Sequence, residues 1–184
     1  GSIVIGGYMT EEEAVKIFDL VVKDGKLPAT LDRLVPLSFI GAAAVQFYRA
    51  KVKLMDQLGM TEEQRKATLH DGQDAGRMLL DIETRIGELW NKIPDSKAGS
   101  VLPGTKGAIA PTEKDGSGKH RKRMQASATI ARHPEARAAV IAEAEENEDI
   151  PTKTAVLNRI RYEKEKSRTA KQKEKDRVDM TVDG

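Results

Sequence analysis

The chain has 184 residues, with 31 Lys and Arg against 29 Asp and Glu, a formal net charge of +2, and only 4% aromatic side chains. That length suits one ordinary domain or two small ones, and so much charge with so few bulky residues argues against a single large core. Cysteine is absent, which excludes disulfide scaffolds, thiolate zinc sites and cysteine nucleophiles. No apolar run approaches the roughly 18 residues that span a bilayer and no charged-then-apolar leader opens the chain, so a cytoplasmic protein without membrane contact is expected.

Residues 1–8 read GSIVIGGY. The opening Gly-Ser reads as a remnant of tag removal, and these residues are set aside as a leader; the alternative is an edge strand through Ile3, Val4 and Ile5. A helix is expected from Thr10, whose hydroxyl can cap the first turn while Glu13 bonds back, and Ala14, Ile17, Phe18, Val21 and Val22 form its apolar stripe. Asp24-Gly25 ends it. Residues 27–36 read as a connector with one short helical turn at 31–34. A second helix is expected over 38–58, apolar on two faces (Ile40, Ala44, Phe47; Val45, Tyr48, Val52, Met55) and therefore central. Its small run Gly41-Ala42-Ala43-Ala44 suits close packing inside the bundle, with self-association as the alternative. Gly59 closes that helix, and Thr61 with Gln64 opens the next. Ala75, Met78, Leu79, Ile82, Ile86, Leu89 and Trp90 give the cleanest stripe in the chain, after a polar break at 70–74 where Gly72 is expected to kink or restart the helix. Pro94 stops it.

Residues 94–118 contain 11 Gly, Pro or Ser and no periodicity, the composition of a flexible tether, so the domain boundary is placed there. Residues 1–93 carry a net charge of −2 and residues 119–184 a net +4. Three short helices are expected after the tether. The first covers 121–132, with Met124, Ala128 and Ala131 on one face and Ile130 beside them. The second covers 134–146, with Pro134 at its start and five acids between Glu143 and Asp149 fraying its end. The third opens at Pro151 with Val156, Leu157 and Ile160 inward. From 163 to 177 the chain is almost wholly charged, either a solvated continuation of that helix or disorder. The expected architecture is thus all-α: an N-terminal antiparallel helical bundle (9–93), a linker (94–118), a trihelical unit (119–168) and a charged tail (169–184).

Catalytic signals are poor. Residues 99–106 approach a phosphate-cradling loop, but Thr105 precedes Lys106, Pro103 interrupts the run and no strand precedes it. His70 and Asp74 are two ligands at helical spacing, too few for a stable metal site. No serine sits in a nucleophile-elbow context. Neither an enzyme, a cofactor nor a metal is expected.

A helix, a break, and a second helix opening with small hydroxyl residues and carrying cations outward is the pattern of a helix-turn-helix, whose second helix enters the major groove. Thr152, Lys153, Thr154, Asn158 and Arg161 are then the candidate reading face, Asn suited to adenine and Arg to guanine. Lys119, Arg121, Lys122 and Arg123 are candidate phosphate contacts. The alternative is an ordinary charged helical surface, and the acids at 143–149 would repel phosphate unless they point away.

The runs Ala128-Thr129-Ile130-Ala131-Arg132-His133-Pro134-Glu135 and Glu148-Asp149-Ile150-Pro151-Thr152-Lys153-Thr154-Ala155-Val156-Leu157 resemble helix-turn-helix proteins of bacterial plasmids, phages and other mobile elements. The resemblance covers about 50 residues, and the turn is longer than the common one and lacks its glycine. It implies a DNA-binding regulator that contacts double-stranded DNA through its C-terminal unit, its bundle dimerising or holding a partner. A non-catalytic protein-interaction adaptor, antitoxin-like or an assembly factor, stays open beside it; exposed Phe39, Phe47 or Tyr48 would favour that reading.

Overall fold

Thr10 marks the first helix start: its Oγ1 accepts a hydrogen bond from the Glu13 amide at 3.2 Å, and three acids occupy the first turn, where the helix dipole favours them. The computed structural model describes residues 4–5, 9–94 and 118–182. Among the described residues six helices follow in chain order: α1 (Glu11–Asp24), α2 (Leu31–Leu58), α3 (Glu62–Asn91), α4 (Gly118–Ala131), α5 (Pro134–Glu146) and α6 (Lys153–Val182). A two-residue antiparallel ribbon precedes them, β1 (Val4–Ile5) against β2 (Met9–Thr10), with Val4 opposite Thr10 and Ile5 opposite Met9. Among the described residues the regular structure is otherwise all helix. Part of the leader set aside on sequence grounds, Val4–Ile5, is therefore paired by its backbone with Met9–Thr10. No helix among the described residues is long and apolar enough to cross a membrane.

Local signals are obeyed at most helix ends. Gly25 and Gly59 close α1 and α2 in the left-handed region, with φ of 68° and 63°. Thr61 accepts from the Gln64 amide at 3.4 Å, and Pro134 sits in the first turn of α5. Two expectations fail. The connector over 27–36 does not persist to Ser38, because α2 begins at Leu31 and runs through Pro36. A proline this close to a helix start removes one backbone bond but leaves the remaining turns intact, and Leu34, fully buried, rewards the early start. Nor does α3 break at 70–74. It is one helix of 30 residues without a restart, and Gly72 is buried at a close approach.

The central element is α3, not α2. Twelve of its residues are buried, and its largest interfaces are with α2 and α4. Phe18 of α1, Leu34, Ala44, Val45 and Tyr48 of α2, and Leu79, Ile82, Ile86 and Trp90 of α3 form one core, which Met124 and Ala128 of α4 and Ile150 complete. Leu80, next to Leu79 but on another face of α3, packs in a second core with Ile130, Ala136, Val140, Val156 and Ile160. The C-terminal helices thus fold against α3, and the N-terminal half shares both cores with them. Leu54 and Leu58 of α2, by contrast, are more than half exposed.

Three glycines permit this. A Cβ on Gly72 would lie 2.5 Å from Ile150 Cδ1, and one on Gly76 would lie 2.7 Å from the Pro151 carbonyl oxygen. A Cβ on Gly87 would drive into the Ser127 backbone. Gly41 plays the same part on α2, where a Cβ would meet the Phe18 ring at 2.7 Å; of this small run Gly41 and Ala44 are buried, Ala43 is half-buried and Ala42 is exposed.

Candidate nucleic-acid interface

The outer face of α6 starts from a tethered helix start. Thr152 caps α6, its Oγ1 accepting from the Ala155 amide at 3.2 Å. Just before it, Ile150 and Pro151 are buried on the glycine positions of α3. Lys153 then turns inward, its Nζ 3.2 Å from Glu83 Oε2. Val156 and Ile160 are the only buried residues of α6, so the helix is held by its first two turns and is solvated beyond them.

Glu83 is the centre of a polar cluster inside the fold, and it is 2% exposed. Ser127 of α4, fully buried, donates its hydroxyl to Glu83 Oε2 at 2.5 Å. Arg123 of α4 stands 3.5 Å from Glu83 Oε1, bonds the buried hydroxyl of Ser38 on α2, and lays its guanidinium over the Phe39 ring at 4.0 Å. One carboxylate of α3 therefore joins α4 and α6, and reaches α2 through Arg123. Burial holds the Lys153 ammonium below the usual lysine range; Glu83 pulls it back up and nearby Arg123 pushes it further down. Removing a charge from water is costly unless it is paired and hydrogen-bonded, and Glu83 has both kinds of partner. Ser127 has no exposed surface through which a substrate could reach its hydroxyl.

The nine sequence-predicted contacts separate accordingly. Arg123, Lys153 and Thr152 are engaged in holding the fold together. Arg121 and Lys122 are exposed on α4, and Lys119 lies in α4 with its side chain outside the described residues. Thr154, Asn158 and Arg161 are exposed at steps of four and three along α6, and so share one face. Three of the five acids near that helix are met by arginines: Glu143 by Arg159, Glu145 by Arg77 at 2.7 Å, and Glu148 by Arg65 at 3.5 Å, while Asp149 accepts from the Ile150 amide at 2.8 Å. Arg159 also holds Glu163 at 2.9 Å.

The other candidates resolve simply. Exposed His70 lies 3.4 Å from half-buried Asp74, and among the described residues no group of three or more His, Cys, Asp or Glu could hold a metal. The phosphate-loop near miss at 99–106 lies outside the described residues, as does most of the expected linker. Of the three aromatics whose exposure would favour an adaptor, Tyr48 is buried and donates its hydroxyl to Asp19 at 2.9 Å, Phe47 is half-buried, and Phe39 is exposed, with the Arg123 guanidinium over one face of its ring. No family model, curated protein or solved structure matches the chain.

Sequence reasoning missed Glu83 and Ser127. The available signal was helical spacing: Leu79, Glu83, Ile86 and Trp90 follow at steps of four, three and four, which sets the acid on the buried stripe.

Proposed function

We propose that this protein binds double-stranded DNA through the outer face of α6, with Arg121 and Lys122 of α4 as phosphate contacts. The observation that carries the reading is the shared exposed face of Thr154, Asn158 and Arg161, with Glu143, Glu145 and Glu148 nearby already paired with arginines. Asn and Arg are the side chains best matched to adenine and guanine edges, and a hydroxyl suits base or phosphate. The proposed contact differs from that of the helix-turn-helix proteins which the C-terminal third resembles. Those present the start of the second helix to the groove, whereas here the start of α6 is seated on α3, so contact runs along the helix flank. A cytoplasmic regulatory role, with α1–α3 as the dimerising or partner-holding part, belongs to the same proposal.

The test uses the full chain, because residues 119–184 share their core with α3. Fluorescence polarisation against labelled mixed-sequence duplexes at low salt is expected to show binding that weakens as salt rises. No change in polarisation at low salt overturns the reading.

A further inference from the structure

Beyond Ile160 no residue of α6 is buried, yet the helix continues to Val182, a projection of 22 residues or about 33 Å. Its charges are ordered. Glu163-Lys164-Glu165-Lys166 returns eleven positions later as Glu174-Lys175-Asp176-Arg177, and eleven residues are three helical turns, so each charge returns to its own face. Every acid in the two blocks has a side-chain partner. Glu163 is held by Arg159 at 2.9 Å, Glu165 by Arg168 at 2.6 Å, Glu174 by Arg177 at 2.6 Å, and Asp176 accepts from Gln172 at 2.9 Å. Among the described residues Lys164, Lys171 and Lys175 have no ion-pair partner. Arg161, Lys164, Arg168, Lys171 and Lys175 follow at steps of three and four, one exposed stripe about 21 Å long that continues the Thr154–Asn158–Arg161 face.

We infer that this stripe is a rail for the sugar-phosphate backbone of duplex DNA, extending the contact proposed above beyond the bases; the inference rests on that reading. Charge complementarity chooses the occupant. A second copy laid along the same seam would set cation against cation, which is destabilising at such close spacing. A membrane surface needs a continuous apolar face beside the charges, and between Arg161 and Arg177 the only large exposed apolar side chain is Tyr162. Phosphates need only regularly spaced cations, and each one neutralised releases counterions.

The experiment compares two full-length double variants with equal charge loss and equal spacing: Lys164→Gln with Lys171→Gln on the stripe, and Lys166→Gln with Lys173→Gln off it. Gln and Lys have similar helix propensity, so circular dichroism should be unchanged. Polarisation titrations against one duplex at several salt concentrations are expected to show about tenfold weaker binding by the stripe variant at 0.1 M salt, and a salt slope reduced by about 2, with less than about threefold change for the other. Equal weakening by both variants overturns the rail, because the effect would then follow net charge and not a face. So does an unchanged stripe variant while the parent protein binds. Capture of the parent protein by vesicles of phosphatidylcholine with phosphatidylserine, abolished in the stripe variant while duplex binding stays intact, assigns the stripe to a membrane and also overturns it. Failure of the parent protein to bind duplex at all removes the underlying reading, a result distinct from the others.

Discussion

Ile150 occupies the space that a side chain at Gly72 would need: a Cβ there would lie 2.5 Å from Ile150 Cδ1 and 3.0 Å from Tyr48 Cβ. This contact joins the loop before α6 to the middle of α3, and it places the proposed DNA-binding helix on the N-terminal half.

Gly72→Ala should therefore destabilise the protein by about 1–3 kcal/mol, although alanine is the better helix former. Ile150→Val removes the Cδ1 methyl and should cost about 1 kcal/mol alone. Combined, the two should be less harmful than their sum, because the valine makes room for the added methyl. Urea unfolding of the four proteins measures the coupling; strict additivity would show that the two residues do not share space.

Gly87→Ala should be worse, about 3 kcal/mol, since the new methyl meets the Ser127 backbone, which cannot rotate aside as a side-chain end can. Trp90, the single tryptophan, is buried in the core that α4 completes. Its fluorescence should shift to the red as α4 is displaced, and unchanged emission and stability would refute the close approach.

Glu83→Gln leaves Lys153 and Arg123 facing a neutral group inside the fold and should lower stability by about 3 kcal/mol. Ser127→Ala removes the shorter bond to the carboxylate and should cost about 1–3 kcal/mol. Chemical denaturation tests both, and changes below about 0.5 kcal/mol, the size expected of ordinary surface positions, would be inconsistent with the network.

Alkaline pH should separate two buried groups of opposite sign. Lys153 has its folded pKa lowered from 10.5, first by burial, so the unfolded chain holds the extra proton between those values and stability rises with pH through that window. Tyr48 is pushed above 10.0 by burial, then by its hydrogen bond to Asp19 and the charges of Asp19 and Asp71. Its folded form keeps a proton that the unfolded form loses, so stability falls as pH rises past 10.0. In urea titrations across this range, Lys153→Met should remove the gain and Tyr48→Phe the loss. Parallel curves for parent and variants would contradict the assignment.

Arg161 and Arg123 should fail in different assays. Arg161→Ala should reduce discrimination between duplex sequences by about 1–3 kcal/mol at unchanged stability. Arg123→Gln should lower the melting temperature with little effect on DNA affinity per folded molecule, because its guanidinium is held between Glu83, Ser38 and Phe39. The reverse pattern would return Arg123 to the DNA contact.

What the residues by themselves determined was local. Thr10, Thr61, Gly25, Gly59 and Pro134 act within one turn of their own position, where hydroxyl caps, left-handed φ and a missing amide have fixed consequences, and those helix ends were legible. Periodicity likewise identified most of the apolar positions. It could not say what they face, since Leu79 and Leu80 adjoin in sequence and enter different cores. Gly72 reads as a break until Ile150 is seen against it, and Lys153 reads as a DNA contact until Glu83, 70 residues earlier, is found beside it. Only the packing of distant helices decided these points, because a glycine's missing volume and a cation's partner are properties of what lies across the interface and leave no mark at helical spacing.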